Sequence, residues 1–313
     1  MKWRIKGIVQ KVLGVLPAGE ELHYVLQRRY GGLRDFGAEC DIKVDDWRLM
    51  VNHLQVVGIT LAGARLLEMG TGWYPTFPFC LYLGGAARVD TVDLNRYLRV
   101  DLTQMCAARL AAHTSTIADA SGCRETEVAA RQRALVAALG CGASIETATD
   151  GVVAYRAPCD ASATGLPSGS IDVVFSNSVL EHVPGSVIEA CFAEARRILR
   201  PRGIVFHSVN CGDHYAYVDR SIDQLHYLRY SDHVWRRWNN AFLYQNRLRA
   251  IDFTRMARAA GFAIEVDTSR ASPKRLAQLD ATPVYPDFTR YTREQLAITS
   301  IDFIGRIPQD EKH

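Results

Sequence analysis

With 313 residues, 48% hydrophobic and 23% charged, the chain is long enough to bury a full core. Its 37 basic and 34 acidic side chains leave a formal charge of +3, too even a balance to imply a nucleic acid or other polyanion as partner. No run approaches the apolar length of a membrane-spanning helix.

The first expected element is a helix over residues 1–16, where Lys2, Arg4, Lys6 and Lys11 are interspersed with Ile5, Ile8, Val9, Val12 and Leu13. A signal peptide would place its charges before an uninterrupted apolar run, so that reading fails. The helix reads as packed on its own domain, with weak peripheral contact to a membrane as the alternative. A second helix through Tyr24 and Tyr30 is broken by Gly31 and Gly32, and Asp45-Asp46 read as the acidic start of a third that carries Trp47, Leu49 and Met50. Residues 1–62 are therefore expected to form a helical cap.

Between 63 and 209, short apolar runs alternate with helical segments. Strands are expected at 65–68, 89–93, 152–155, 171–175 and 203–207, with a helix over 187–199 between the last two. Such alternation builds a parallel sheet through right-handed crossovers. The Ala-rich stretch after Asp93 is longer than one crossover needs, which predicts a helical insertion at about 103–139. Residues 210–250, rich in Tyr, Trp, His and Arg, read as a substrate-recognition insertion. Residues 251–313 then complete the sheet with a helix over 251–260, a stop at Gly261, a strand over 262–266 and a last strand within 296–304. The 8 cysteines are scattered without a CxxC pair or a Cys/His cluster of zinc spacing. They read as reduced, small apolar residues of a cytoplasmic protein, and no metal is expected.

The first strand runs straight into Gly70-Thr71-Gly72, where glycine lets the backbone turn close beneath a ligand. Dinucleotide loops place a third glycine two residues later, and here that position is Tyr74, followed by Pro75. The acidic Glu68 just before the loop suits a cationic ligand better than a phosphate. Asp93, about 25 residues after Glu68, ends the second strand where a carboxylate accepts ribose hydroxyls; an adenosyl cofactor and NAD satisfy it equally.

Residues 159–167, carrying Asp160-Ala161 and Leu166-Pro167, and residues 169–183, ending in Leu180-Glu181-His182-Val183, decide between them. Together with Glu68-Met69-Gly70-Thr71-Gly72 and the turn Leu199-Arg200-Pro201-Arg202-Gly203, they closely resemble the class I methyltransferases that use S-adenosylmethionine (SAM), in their small-molecule branch. In the turn, Arg202 replaces one of the family's glycines. The resemblance covers about residues 64–209, and more weakly Ala260-Gly261-Phe262. The segments Leu13–Pro17, Tyr24–Arg28 and Tyr244–Arg249 resemble members from bacterial polysaccharide or secondary-metabolite pathways.

That resemblance implies an α/β fold, a Rossmann-like, seven-stranded, mostly parallel sheet with helices on both faces, joined by helical N-terminal and inserted cap elements. It implies SAM as cofactor. Gly70 and Gly72 would approach its methionine part and Glu68 its ammonium group, with Thr71 beside them. Asp93, next to Leu94, would hold the ribose, Asp160 and the Ala161 N–H the adenine, and Asn177 would line the methionine end.

A hydroxyl acceptor needs a base near neutrality, and histidine is the usual choice. His214 is the expected base, oriented by Asp213; His182 is the other candidate, and His207 reads as a core histidine. Tyr215, Trp235, Tyr244 and Arg247 are the expected acceptor contacts, aromatic faces beside a cation that suit a sugar or another polar metabolite. The expected activity is O-methylation of such a small molecule, with N-methylation of a small amine as the alternative. An NAD-dependent oxidoreductase and a non-catalytic SAM-binding protein are the remaining readings.

Overall fold

The apolar runs of the middle and C-terminal regions are too short for helices and are bounded by Gly, Pro and Asp, so they extend. In the computed structural model, which describes residues 1–308, they are β1 (Arg65–Met69), β2 (Arg88–Val92), β3 (Val153–Arg156), β4 (Ile171–Asn177), β5 (Leu199–Asn210), β6 (Ala263–Asp267) and β7 (Ser300–Arg306). They form a seven-stranded sheet in the order β3-β2-β1-β4-β5-β7-β6. The pairings β1/β2, β1/β4, β2/β3 and β4/β5 are parallel, and β7 runs antiparallel to both β5 and β6.

Side chains alternate across the central strands and feed two separate cores. Leu66, Val173 and Phe206 point to one face, Leu67, Val174 and Val205 to the other, and all are buried. A sheet apolar on both faces needs helices on both. Before it come α1 (Trp3–Gly14), α2 (Gly19–Tyr30) and α3 (Phe36–Val56), and after β1 the wholly buried α4 (Thr76–Leu83). The connection from β2 to β3 is filled by α5 (Val100–Arg109), α6 (Thr114–Ser121), α7 (Glu125–Gly140) and α8 (Ile145–Ala148). Helices α3 to α7 contribute to the first core, while α9 (Gly185–Ile198) contributes to the second. The 210–250 region holds only the short α10 (Asp232–Arg236) between 3₁₀ turns and loops, and is followed by α11 (Ala250–Ala259), α12 (Pro273–Asp280) and α13 (Arg293–Ala297). Residues 309–313, expected to belong to the sheet's completion, lie outside the described residues.

Two expected boundaries are corrected. Asp45-Asp46 do not start a helix; they lie in the middle of α3. Its buried stripe already begins at Phe36, Cys40 and Val44, and the cap is Asp35, which accepts the Ala38 N–H at 3.1 Å. At the other end, Leu296 and Ala297 close α13 rather than open β7. Thr292 and Gln295 cap each other there, Thr292 Oγ1 accepting at 3.2 Å and Gln295 Oε1 at 3.0 Å.

Candidate active site

The strand order reverses at β1, whose neighbours β2 and β4 lead away in opposite directions, and beyond the C-terminal ends of these strands is where the ligand crevice of an open α/β sheet lies. Gly70 leaves β1 with φ +85°, and a Cβ on it would lie 2.5 Å from Val179 Cγ2 in the segment after β4. Only glycine meets both conditions. Gly72, at φ +72°, donates its N–H to Asp93 Oδ2 at 3.0 Å, which fixes the loop against the end of β2. The Thr71 and Thr91 hydroxyls pair beneath it, and Thr91 donates to Glu68 Oε2 at 2.5 Å.

Burial governs both carboxyls. Desolvation pushes Glu68 up to about 7 and Asp93 up to about 7, against the hydrogen bonds from Thr91 and Gly72 and the nearby Lys43 charge, which pull them down. Tyr74, which replaces the third glycine, does not fill the crevice: it is buried against Phe36, ring centroids 4.8 Å apart. A side-chain-free turn, an acid beside it and an acid at the next strand end fit an adenosyl cofactor carrying a cationic amino-acid tail.

The other residues expected to meet the cofactor lie around this turn. Cys159 donates its N–H to the Asp93 carbonyl at 2.8 Å, tying the loop after β3 to the one after β2. Asp160 is exposed on that loop, where its Oδ1 accepts the Ser162 N–H at 2.8 Å and hydroxyl at 2.7 Å; those bonds hold its carboxyl below the usual range. Ala161 packs at the edge of the second core, and Leu94 is exposed beside Asp93. Asn177 ends β4 and donates to Asp46 Oδ2 of α3 at 3.0 Å. Helix α3 thus roofs this end of the crevice with Asp46 and with Lys43, whose Nζ lies 4.5 Å from the Tyr74 ring centroid. Neither residue was expected here, because the misplaced helix start concealed which face α3 turns to the loop.

Across the glycine loop, Ser178 takes φ +55° and aims the turn Leu180–His182 back over the strand ends. Glu181 is buried; its Oε1 accepts the Asn210 N–H at 3.3 Å while Oε2 has no partner, and burial pushes the carboxyl up to about 8. His182 Nδ1 donates to the Tyr244 carbonyl at 2.6 Å, which leaves Nε2 as the nitrogen with the lone pair. His214, after β5, turns Nε2 to within 3.9 Å of Glu181 Oε1 and its ring to 4.9 Å from that of His182. Burial, then the neighbouring His182 and Lys6, lower it to about 3. One atom from each of the three side chains lies within 4.8 Å of the others, a set able to pass a proton or to ligate a divalent ion.

Residues 244–246 clamp these turns. Gln245 accepts the His214 N–H at 3.1 Å and donates to the Gly212 carbonyl at 2.8 Å, and Asn246 donates to the carbonyls of Leu180 at 2.7 Å and Val183 at 2.8 Å. Glu181, Gln245 and Asn246 stand in segments the sequence marks as family-like, but nothing in their spacing shows that they meet.

Several expected partners are placed elsewhere. Asp213 does not orient His214: as the cap of the next 3₁₀ turn it accepts the Tyr215 N–H at 2.9 Å and pairs with His226 Nδ1 at 2.9 Å. Adjacent residues at a cap diverge, so the two side chains part. Tyr215 and Trp235 are buried in an aromatic cluster with Trp3, and Arg247 is buried with Nη1 donating to the carbonyls of Tyr227 at 3.0 Å and Tyr230 at 2.6 Å. Tyr244 is half-buried and meets the site through its carbonyl. His207 is a core histidine, 2.8 Å from Ser176 Oγ and packed on Phe192 and Phe303.

Residues 130–207 match the family model described as a methyltransferase domain. No curated protein sequence matches the chain. Among solved structures it is similar to an S-adenosylmethionine-dependent methyltransferase from Mesorhizobium loti, at 14% identity over 82% of this chain and 96% of that one, TM-score 0.42. It is also similar to the geranyl diphosphate C-methyltransferase of Streptomyces coelicolor A3(2), at 13% identity over 83% and 80%, TM-score 0.45. A third is the phosphoethanolamine N-methyltransferase 2 of Haemonchus contortus, at 17% identity over 84% and 53%, TM-score 0.45. At such identities the likeness concerns the fold and not the acceptor.

Proposed function

We propose, from the premise that this chain is a SAM-dependent methyltransferase of the class I fold, that it methylates a hydroxyl of a small metabolite or sugar. The observation that carries this reading is the meeting of buried Glu181 with half-buried His182 and His214 beside the glycine loop. A carboxyl oxygen and an imidazole nitrogen left without partners in the interior cost stability, which favours a role in handling a proton. An amine acceptor needs no such group, since it has only to arrive unprotonated.

Bound SAM supplies a methyl group that is already electrophilic on its sulfonium. The chain has to hold the acceptor oxygen in line and dry, an alignment worth roughly 7–11 kcal/mol, and to take the hydroxyl proton. In this reading Gly70 and Gly72 admit the methionine part, Glu68 meets its ammonium and Lys43 its carboxylate. Asp93 holds the ribose hydroxyls, and Asp160 with the Ala161 N–H holds the adenine. His214 would take the acceptor's hydroxyl proton as the O–C bond forms and the methyl's bond to sulfur breaks, its electron pair staying on sulfur to leave a neutral thioether, and ionised Glu181 would balance the imidazolium. Burial disfavours each charge alone, but the two together form a pair, and a cation bound in the crevice draws Glu181 toward its ionised form. His182, fixed by the Tyr244 carbonyl, turns Nε2 to the same space.

The test is a screen of hydroxylated and amino metabolites with radiolabelled methyl donor, followed by mass spectrometry of the product. An O-methylated product is expected, with Glu181→Gln and His214→Ala each lowering kcat roughly 10²- to 10⁴-fold and leaving S-adenosylhomocysteine affinity intact. Dialysis against a chelator is expected to leave turnover unchanged. An N-methylated product, an undiminished kcat in His214→Ala, or turnover lost with the chelator and restored by a divalent ion would overturn the mechanism.

A further inference from the structure

Helix α1 is apolar on two opposite faces, and the fold uses one of them. Trp3, Gly7, Gln10 and Leu13 are buried on one side. At 100° per residue, Ile5, Ile8 and Val12 fall on the other, where they are 53%, 54% and 53% exposed, and Val15, the residue that caps the helix, is 82% exposed. Val9 widens the same outward stripe. An amphipathic helix that serves only its own core turns its apolar side inward and its polar side to water. Here the outward side is the more continuous of the two in large aliphatic residues, and a contiguous exposed apolar strip marks a contact surface.

The borders of the stripe say what it contacts. Arg4 and Lys11 flank it on one side and Lys2 on the other, all exposed, and no acidic residue occurs between Met1 and Gly19. Aliphatic side chains bordered on both sides by cations complement a bilayer, whose acyl chains lie beneath anionic headgroups. A second copy of the same helix would oppose cation to cation. Among the described residues no helix is long and apolar enough to cross a membrane, so the contact is peripheral.

We infer that the outer face of α1 docks on anionic lipid bilayers. This stands apart from the choice of acceptor, but it bears on where the acceptor is met. The inner face of α1 carries Trp3 into the cluster of Tyr215, Trp235 and Trp238, so a docked α1 holds the 210–250 insertion about one helix diameter, ~10 Å, from the headgroups.

The experiment is co-sedimentation of the full chain with vesicles of phosphatidylcholine alone or with about one-third phosphatidylserine. The protein is expected to pellet with the anionic vesicles and to stay in solution with the neutral ones, and high salt should weaken the binding. Ile8→Ser combined with Val12→Ser, both solvent-facing and so without effect on the fold, should bind roughly tenfold more weakly. Arg4→Gln combined with Lys11→Gln should abolish the preference for phosphatidylserine. Circular dichroism and S-adenosylhomocysteine binding verify that the variants are folded. Equal sedimentation of wild type and the Ile8/Val12 variant overturns the inference, as does absence of binding to either vesicle. A concentration-dependent dimer that the Ile8/Val12 variant loses, without vesicle binding, also overturns it by assigning the face to a second copy.

Discussion

Glu68 and Asp93 are held by burial close to the middle of the physiological range, which ties cofactor binding to pH. If Asp93 takes the ribose hydroxyls and Glu68 the ammonium of the methionine tail, as proposed, each does so best as a carboxylate, the form that accepts on both oxygens and carries the complementary charge. Both groups sit at about 7 in the free protein, raised by desolvation. Below that point they hold protons that must leave on binding; above it they are ready. Affinity should therefore rise with pH through neutrality and level off above about pH 8, losing up to roughly tenfold per pH unit for each protonated group on the acid side. Calorimetric titration of S-adenosylhomocysteine between pH 6 and 9, in buffers of different ionisation enthalpy, reads both the affinity and the protons released. Asp93→Asn should bind weakly at every pH and flatten the profile. Constant affinity from pH 6 to 8 without proton release would remove these two carboxyls from the binding step.

Among the elements, the sheet was the most legible part, because a strand buried on both faces announces itself as a short apolar run with no competing period. The glycine loop and Asp93 were legible for the same reason, being fixed to strand ends that the sequence locates. Side-chain partnerships across loops were not. His214 and Asp213 adjoin in sequence, yet a 3₁₀ cap sends one to Glu181 and the other to His226. Arg249, which the sequence leaves among ordinary arginines of the insertion, is fully buried and joins three elements. Its Nη1 donates to the Cys211 carbonyl at 2.7 Å and to the Tyr227 hydroxyl, and its Nη2 to the carbonyls of Leu296 at 3.1 Å and Ile298. The end of β5, the insertion and α13 all converge on this guanidinium. Arg249→Met keeps much of the volume but strands those carbonyls, at a cost on the order of 3 kcal/mol, or roughly 4–5 °C in melting temperature for a chain of this length. Thermal unfolding checks this, with cofactor affinity as the control, since the crevice lies on β1, β2 and α3. An unchanged melting temperature would mean that water replaces the guanidinium.

On the scale of the whole molecule, three apolar bodies are distinguishable: one on each face of the sheet and a third that belongs to the cap. The third gathers Trp3 from the N-terminus, Tyr215, Tyr227 and Trp235 from the insertion, and Phe288 and Tyr291 from before β7. Trp3 holds it together: its backbone N–H donates to Asp219 Oδ2 at 3.0 Å, and its ring lies 4.6 Å from Trp238, 5.0 Å from His226 and 5.4 Å from Tyr215. The glycine loop and Asp93 draw nothing from this body, whereas His214 directly precedes Tyr215 within it. Loosening the cap should therefore affect the acceptor and spare the cofactor. Trp3→Ala removes a buried indole, a change that costs about 3–5 kcal/mol where the site cannot collapse, and the loss falls on the docking of α1 against the insertion. The expected result is faster amide hydrogen exchange across residues 212–230 and an acceptor KM raised about tenfold, the equivalent of 1.4 kcal/mol, with S-adenosylhomocysteine affinity unaltered. If cofactor affinity fell together with acceptor affinity, the cap and the crevice would have to move as one body, and the division of labour between them would be lost.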